Sequence, residues 1–284
     1  MNWFDEGALY SQIAVYLRED LGHGDITTQS LVARNTRARG RFVAGEKMIV
    51  AGLEAAEEVF LTLDSQQQLE AFVSDGEEIE AGKVIARASG FADVLLAGER
   101  VALNLLQRLS AVATLTNQYV RAAVGTNAAI VDTRQTTPGM RMLEKYAVQL
   151  GGGRSNRFCL DDGVVIRANQ AILAGGISAA VRNAKAKLGH MHKIEVQVSG
   201  ENDLREALDS GADILLFEGL PATEVARLIP LARELSPAVI VECSGSITLE
   251  NVRAYAEAGA DSISISALTN SAGAMAVSFQ VQPF

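Results

Sequence analysis

In LYSQIAVYLRED, residues 9–20, apolar positions recur at helical spacing, and the GHGDIT that follows carries turn chemistry. RFVAGEKMIVAG and EAFVSDGEEIEAGKVIARASG then read as short strands broken at glycines, Gly76 and Gly82 among them. The longest helical pattern runs over DVLLAGERVALNLLQRLSAVATLTNQYVRAAV, residues 93–124. There Val101, Leu105, Leu109 and Val112 form one stripe, as a helix packing one face on a core requires.

From Ala128 onward the texture alternates between strand and helix. AAIVDT, KIEVQV, DILLFEG, AVIVECSG and DSISISA are short β-rich runs. Between the later ones lie GENDLREALDSGA, PATEVARLIPLARELSP and TLENVRAYAEAGA, amphipathic and ending near Gly or Pro. Units of strand, polar loop and helix imply parallel strands, because antiparallel neighbours need no crossover helix. A closed β/α barrel and an open doubly wound sheet both satisfy this pattern. Polar or glycine-bearing residues follow several strands (Asp132, Gln197, Glu218, Ser244 to Ser246, Ser264 to Ser266), and no GxGxxG opens a helix. Both features favour the barrel, with ligands at the strand C-termini.

The chain has 284 residues, enough for one large domain or two moderate ones, and is 48% hydrophobic. Its 34 acids against 25 bases give a net charge of -9, which argues against a nucleic-acid or membrane-surface binder. The first twenty residues, MNWFDEGALYSQIAVYLRED, carry acids where a signal peptide needs a basic region, and no run approaches a membrane span. Two cysteines, Cys159 and Cys243, make neither a disulfide framework nor a paired metal motif, so a cytoplasmic setting is expected.

Against that acidic background stand Arg134, Arg141, Arg154, Arg157, Arg167 and Lys145, with few acids between them beyond Glu144, Asp161 and Asp162. An anionic ligand would supply the missing counter-charge, since guanidinium forks suit carboxylate and phosphate. The plainer reading makes most of them solvated surface arginines. Arg134 stands out, because it follows an apolar strand and precedes TTPG. VECSGSITLENV places small residues between a strand and a helix expected to begin near Thr248, a candidate phosphate site that a serine-glycine cap would also explain. SISISALTNS offers a second hydroxyl-rich strand end. Glu195 and Gln197 share a strand face and Glu218 ends the next strand, so carboxylates there could hold Mg²⁺ or pair with arginines. The three histidines, His23, His190 and His192, lie on no strand end, which speaks against a histidine triad or zinc site.

EDLGHGDITT, ERVALNLLQRLSAVATLT, DTRQTTPGMRMLEKYAV, GGGRSNRFCLDDGVVIRANQ, IEVQV, LLFEGL, VECSGSIT and SISISALTNS stand in the order and spacing of the quinolinate phosphoribosyltransferase family. The resemblance covers residues 9 to 284. It implies an α/β chain: an N-terminal α+β sandwich-like domain (1–110), an incomplete α/β barrel of parallel strands (111–268) and a C-terminal tail (269–284) returning to the first domain. It implies a homodimer with a shared active site that joins quinolinate, a carboxylated ring, to phosphoribosyl pyrophosphate with Mg²⁺. Pyrophosphate and carbon dioxide leave, and nicotinate mononucleotide is formed.

Residue by residue, the resemblance assigns Arg100, contributed by the partner, with Arg134 and Arg157 to the acceptor carboxylates, and Arg141 and Lys145 to the basic mouth. Arg167 and Asn156 fall at substrate-binding positions. Gln135, Glu195 and Glu218 fall at catalytic ones, the two acids also being metal positions. Ser244, Gly245 and Ser246 match the phosphate loop, with Ser264 and Ser266 beside it. Several positions depart from the family pattern: DTRKT is DTRQT here, NHR is SNR, KDNH is RANQ, EVEV is EVQV and LDN is FEG. Gln135, Asn156 and Gln197 each put a neutral amide where the pattern has a charged or titratable group. They motivate a second reading, a repurposed or non-catalytic paralogue binding a small anionic metabolite, like those beside molybdate-transport genes. An unrelated phosphate-binding barrel is a third reading, but it leaves GDITT and ERVALN unexplained.

Overall fold

The computed structural model describes residues 6–284; the first five residues of the expected N-terminal domain, where the sequence lacks the basic region of a signal peptide, lie outside the described residues. Along the chain come α1 (Glu6–Leu21), α2 (Ile26–Leu31), β1 (Arg37–Ala44), β2 (Met48–Ile49), α3 (Leu53–Leu63), β3 (Gln68–Ala71), β4 (Glu78–Ile79), β5 (Val84–Phe91) and α4 (Ala92–Ala122). There follow β6 (Ala129–Val131), α5 (Arg141–Leu150), β7 (Val164–Ile166), α6 (Ala168–Ala174), α7 (Ile177–Lys187) and β8 (Ile194–Val198). Then come α8 (Glu201–Asp209), β9 (Ile214–Glu218), α9 (Ala222–Leu235), β10 (Ile240–Ser244), α10 (Val252–Glu257), β11 (Ser262–Ser264), α11 (Ala267–Asn270) and β12 (Val277–Pro283).

Two compact units result. Among the described residues, the first comprises those up to 117, 137–152 and 268–284; the second comprises 118–136 and 153–267. In the first, an antiparallel sheet of order β12-β1-β5-β3 has β1 alternating between exposed and buried positions, the signature of a sheet with one face on a core. The C-terminal strand β12 pairs with β1, Phe279 opposite Phe42, and their rings stand 4.6 Å apart. The α4 stripe is buried as its spacing requires, with Leu109 and Val112 fully enclosed. Asp25 starts α2 by accepting from the backbone N–H groups of Thr27 and Thr28, both at 3.0 Å.

The second unit carries a parallel sheet of order β6-β11-β10-β9-β8-β7. From β7 to β11 each strand lies beside its predecessor, so the winding never reverses. A doubly wound sheet reverses at a switch point; right-handed crossovers repeated in one direction curl a sheet toward a barrel instead. β6 joins the far edge beside β11 and does not pair with β7, so the barrel is incomplete, as the family resemblance implies. Strands β8 to β10 are largely buried on both faces, and Glu195, Gln197, Glu218 and Glu242 interrupt their apolar positions.

Three local features differ from the sequence expectation. The GISAAVRNAKAK stretch forms α7, and VVI forms β7, neither of which stood out in the sequence. The helix after the SGS turn begins at Val252, not near Thr248. Asn251 holds the intervening turn: its Oδ1 accepts from Thr248 N–H at 2.8 Å and its Nδ2 donates to Ser246 O at 3.0 Å.

Candidate functional site

At the C-terminal ends of the parallel strands, the second unit encloses a cavity of about 390 Å³. Its wall takes consecutive contributions around the sheet. Arg134 and Gln135 follow β6, Arg167 and Gln170 follow β7, and Glu195 lies on β8. Two-residue periodicity then puts Leu216 and Glu218 of β9, Glu242 and Ser244 of β10, and Ser264 with Ser266 on the same inward face. Asn156 and Arg157 come from the loop before β7.

The cavity thus brings together Arg134, Gln135, Asn156, Arg157, Arg167, Glu195, Glu218, Ser244, Gly245, Ser264 and Ser266. Ser246 is not among its lining residues, and Gln197 lines a neighbouring hollow, where its Oε1 accepts from Ala168 N–H at 3.3 Å. Arg100, Arg141 and Lys145 belong to the first unit and do not line the cavity. The phosphate-loop reading also loses its helix dipole, because α10 has only six residues and starts well past Ser246. What remains is backbone shape. Gly245 has φ +116°, and a Cβ there would stand 2.8 Å from Gly219 N, so only glycine fits.

Glu242 escaped the sequence reading, although its place two residues before Ser244 puts it on the same strand face. It is 8% exposed and accepts from Asn156 Nδ2 at 3.1 Å and from Ser262 Oγ at 3.3 Å. Burial raises its proton affinity, while hydrogen bonds from Ser264, Ser262 and Asn156 pull the other way. Asp132, fully buried after β6, accepts from Asn156 N–H at 2.9 Å and Ser155 Oγ at 3.2 Å. Across the mouth, Arg167 Nη1 donates to Glu218 Oε1 at 3.1 Å.

Charge is arranged unevenly. Desolvation, reinforced by the guanidinium charges of Arg134 and Arg167, lowers the pKa of Arg157. Burial, and then the Glu242 charge, push the Glu195 carboxyl up to about 8, and its Oε1 is buried without a hydrogen-bond partner. Burial and like charge thus favour a proton on the Glu195–Glu242 pair, and the guanidinium groups of Arg134, Arg157 and Arg167 line the same cavity. The cavity is set to receive an anion.

The Glu195 shift also has a stability signature. Between the ordinary carboxylate range and about pH 8 the folded state carries a proton that the unfolded chain has lost, so stability falls as pH rises through that window. Glu195→Gln should remove this slope and leave the variant more stable than wild type at the alkaline end. Thermal melts in metal-free buffer at about pH 5 and about pH 8 measure it; parallel slopes for the two proteins would contradict a buried, protonated Glu195.

The family models describing the quinolinate phosphoribosyl transferase N-terminal and C-terminal domains match residues 25–110 and 112–280. The chain belongs to the quinolinate phosphoribosyl transferase family. Among its relatives, the probable nicotinate-nucleotide pyrophosphorylase [carboxylating] of Bacillus subtilis (strain 168) is 42% identical over 94% of this chain and 91% of its own length. A protein with the same description from Synechocystis is 39% identical, covering 89% of this chain and 85% of that one. The solved structure of the nicotinate-nucleotide pyrophosphorylase from Francisella tularensis superposes with a TM-score of 0.91 at 33% identity, over 98% of both chains. The cavity described above takes in the arginines of the DTR and SNR motifs, the first acid of IEVQV and the glycine of SGS.

Proposed function

We propose that this chain is a carboxylating nicotinate-nucleotide pyrophosphorylase, a pentosyltransferase that joins quinolinate to phosphoribosyl pyrophosphate. The observation that carries the proposal is the gathering of Arg134, Arg157 and Arg167 with the Ser244-Gly245 turn, Ser264 and Ser266 around one cavity at the strand ends. Every ligand of the reaction is an anion, and such a wall can neutralise several anionic groups at once. The alternative of a non-catalytic anion binder is not favoured, because the named relatives described above are pyrophosphorylases at substantial identity over most of the chain.

Arg134 and Arg157 bind the acceptor carboxylates and turn the ring nitrogen toward C1′ of the ribose. Ser244, Gly245, Ser264 and Ser266 hold phosphate groups through hydroxyl and backbone N–H donors. The nitrogen forms its bond to C1′ while the C1′–oxygen bond breaks, and pyrophosphate leaves with the electron pair. The carboxylate next to the nitrogen then departs as carbon dioxide; its bonding pair stays on the ring carbon, which takes up a proton. Positioning and electrostatics account for the acceleration, with no protein nucleophile.

Mg²⁺ fits the donor set. Among the described residues no group of three or more His, Cys, Asp or Glu could hold a metal, but Mg²⁺ commonly uses one or two carboxylates together with substrate phosphates. Glu218 at the end of β9 and Glu195, four positions deeper on the neighbouring β8, both line the cavity and would hold the ion together with its waters, Glu195 giving up its proton when the cation binds; the unpartnered Oε1 of Glu195 is an atom that a cation would satisfy. When bound, the ion neutralises charge on the departing pyrophosphate. Gln135, where the family pattern has lysine, offers a neutral amide to the same region.

The same reading carries a cytoplasmic homodimer in which Arg100 serves the neighbouring protomer's site, with no nucleic-acid partner. No helix among the described residues is long and apolar enough to cross a membrane. Purified protein with Mg²⁺, phosphoribosyl pyrophosphate and quinolinate should release pyrophosphate and form nicotinate mononucleotide. Absence of pyrophosphate release with quinolinate and with a panel of other pyridine carboxylates would sink the proposal.

A further inference from the structure

One cavity side chain spends its hydrogen bonds on the protein itself. Asn156 donates from Nδ2 to both carboxylate oxygens of Glu242, at 3.1 and 3.4 Å, and its Oδ1 accepts from the backbone N–H of Arg157 at 2.6 Å. Its own backbone N–H donates to Asp132 Oδ1 at 2.9 Å. The amide has only this orientation available. Reversed, its oxygen would face a carboxylate and its NH₂ would face an N–H, two repulsive contacts.

Both acids that grip Asn156 are nine-tenths or more buried, so the grip is built into the interior and not the surface. Arg157 leaves this anchored backbone directly, and its Nη1 donates to Gly163 O at 3.1 Å, fixing the far end of the side chain. Arg157 is thereby held at both ends within the cavity, close enough to Arg134 and Arg167 for their charges to lower its pKa. Mutual repulsion among three guanidinium groups would drive an untethered one out toward water.

We infer that Asn156 is a positioning residue: a strut between the Glu242 carboxylate and the backbone of Arg157 that sets where the Arg157 guanidinium stands, with Glu242 as its anchor. The donor and acceptor roles at each end define the strut, so it can be rebuilt with the roles exchanged. Asn156→Asp removes the donor and sets two carboxylates against each other. In the double variant Asn156→Asp with Glu242→Gln, the Gln amide donates to the Asp carboxylate, which still accepts from Arg157 N–H.

Two readouts test this. One rests on the proposed acceptor: calorimetric affinity for quinolinate should fall by about 10- to 100-fold in Asn156→Asp, the scale of a misplaced orienting group, and most of that loss should return in the double variant. The other needs no ligand. The Arg157 Nε–H nuclear magnetic resonance signal, assigned by its loss in Arg157→Lys, should be sharp in wild type, broadened in Asn156→Asp and sharp again in the double variant. An unchanged signal in Asn156→Asp, or a double variant no better than the single one, overturns the inference. Wild-type protein that fails to bind quinolinate would remove the proposed function, while the ligand-free signal still decides the role of Asn156. If Asn156→Asp does not fold, Asn156→Ala takes its place, and a sharp Arg157 signal there overturns the strut.

Discussion

Replacing Arg157 with methionine should raise the Kd for quinolinate by about 10- to 150-fold, because each charge-assisted hydrogen bond of this kind contributes about 1.5–3 kcal/mol. Methionine keeps the apolar stem and removes only the fork, so packing loss is small. The effect is expected to be large because partial burial in the cavity weakens the screening of the fork's attraction for a carboxylate. Titration calorimetry with quinolinate alone checks the prediction. Inorganic pyrophosphate serves as the control: it should bind the variant with little change if Ser244, Gly245, Ser264 and Ser266 take the phosphates. A quinolinate affinity equal to wild type would exclude Arg157 from the acceptor site.

How much of this was legible in the sequence follows from which interactions are local. The α4 stripe, the short β-rich runs of β8 to β10 and the strand-end polarity are written in spacings of two and of three or four residues, and they form the elements expected. The choice between barrel and doubly wound sheet was not local. It rests on β6 lying beside β11, a pairing between residues more than a hundred positions apart that no periodicity encodes. At the site, Arg134 and Arg157 stood out because cations are conspicuous in an acidic chain. Glu242 did not, since a single acid inside an apolar strand resembles a tolerated exception until its partners Asn156 and Ser262 are known. The start of α10 was misjudged for a similar reason: Thr248 and Asn251 are both good caps, and only the hydrogen bonds of Asn251 back to Ser246 and Thr248 show that the turn comes before the helix.

The largest expected effect on stability lies in the first unit, at Arg108. Glu144 is fully buried, and four donors converge on its carboxylate: Arg108 Nε at 3.1 Å, Arg108 Nη2 at 2.8 Å, Thr137 N–H at 2.9 Å and Thr137 Oγ1 at 2.8 Å. The same guanidinium donates to the carbonyl oxygens of Thr269 and Ala272, so one side chain of α4 ties together α5, the turn before it, α11 and the segment after α11. Arg108→Met leaves Glu144 as a buried charge with only the threonine donors, a change that costs about 3–5 kcal/mol when one partner of such a pair is removed. For a chain of this size that corresponds to a fall in melting temperature of about 6–20 °C. Taking both charges away should cost less than taking one, because the penalty comes from the stranded carboxylate and not from a lost attraction. Arg108→Met combined with Glu144→Gln is therefore expected to melt above Arg108→Met alone. Calorimetric melts of the wild type, the single variant and the double variant decide it; a double variant less stable than the single would mean that the two Thr137 donors alone keep the buried Glu144 carboxylate favourable, and that it is not stranded when Arg108 is lost.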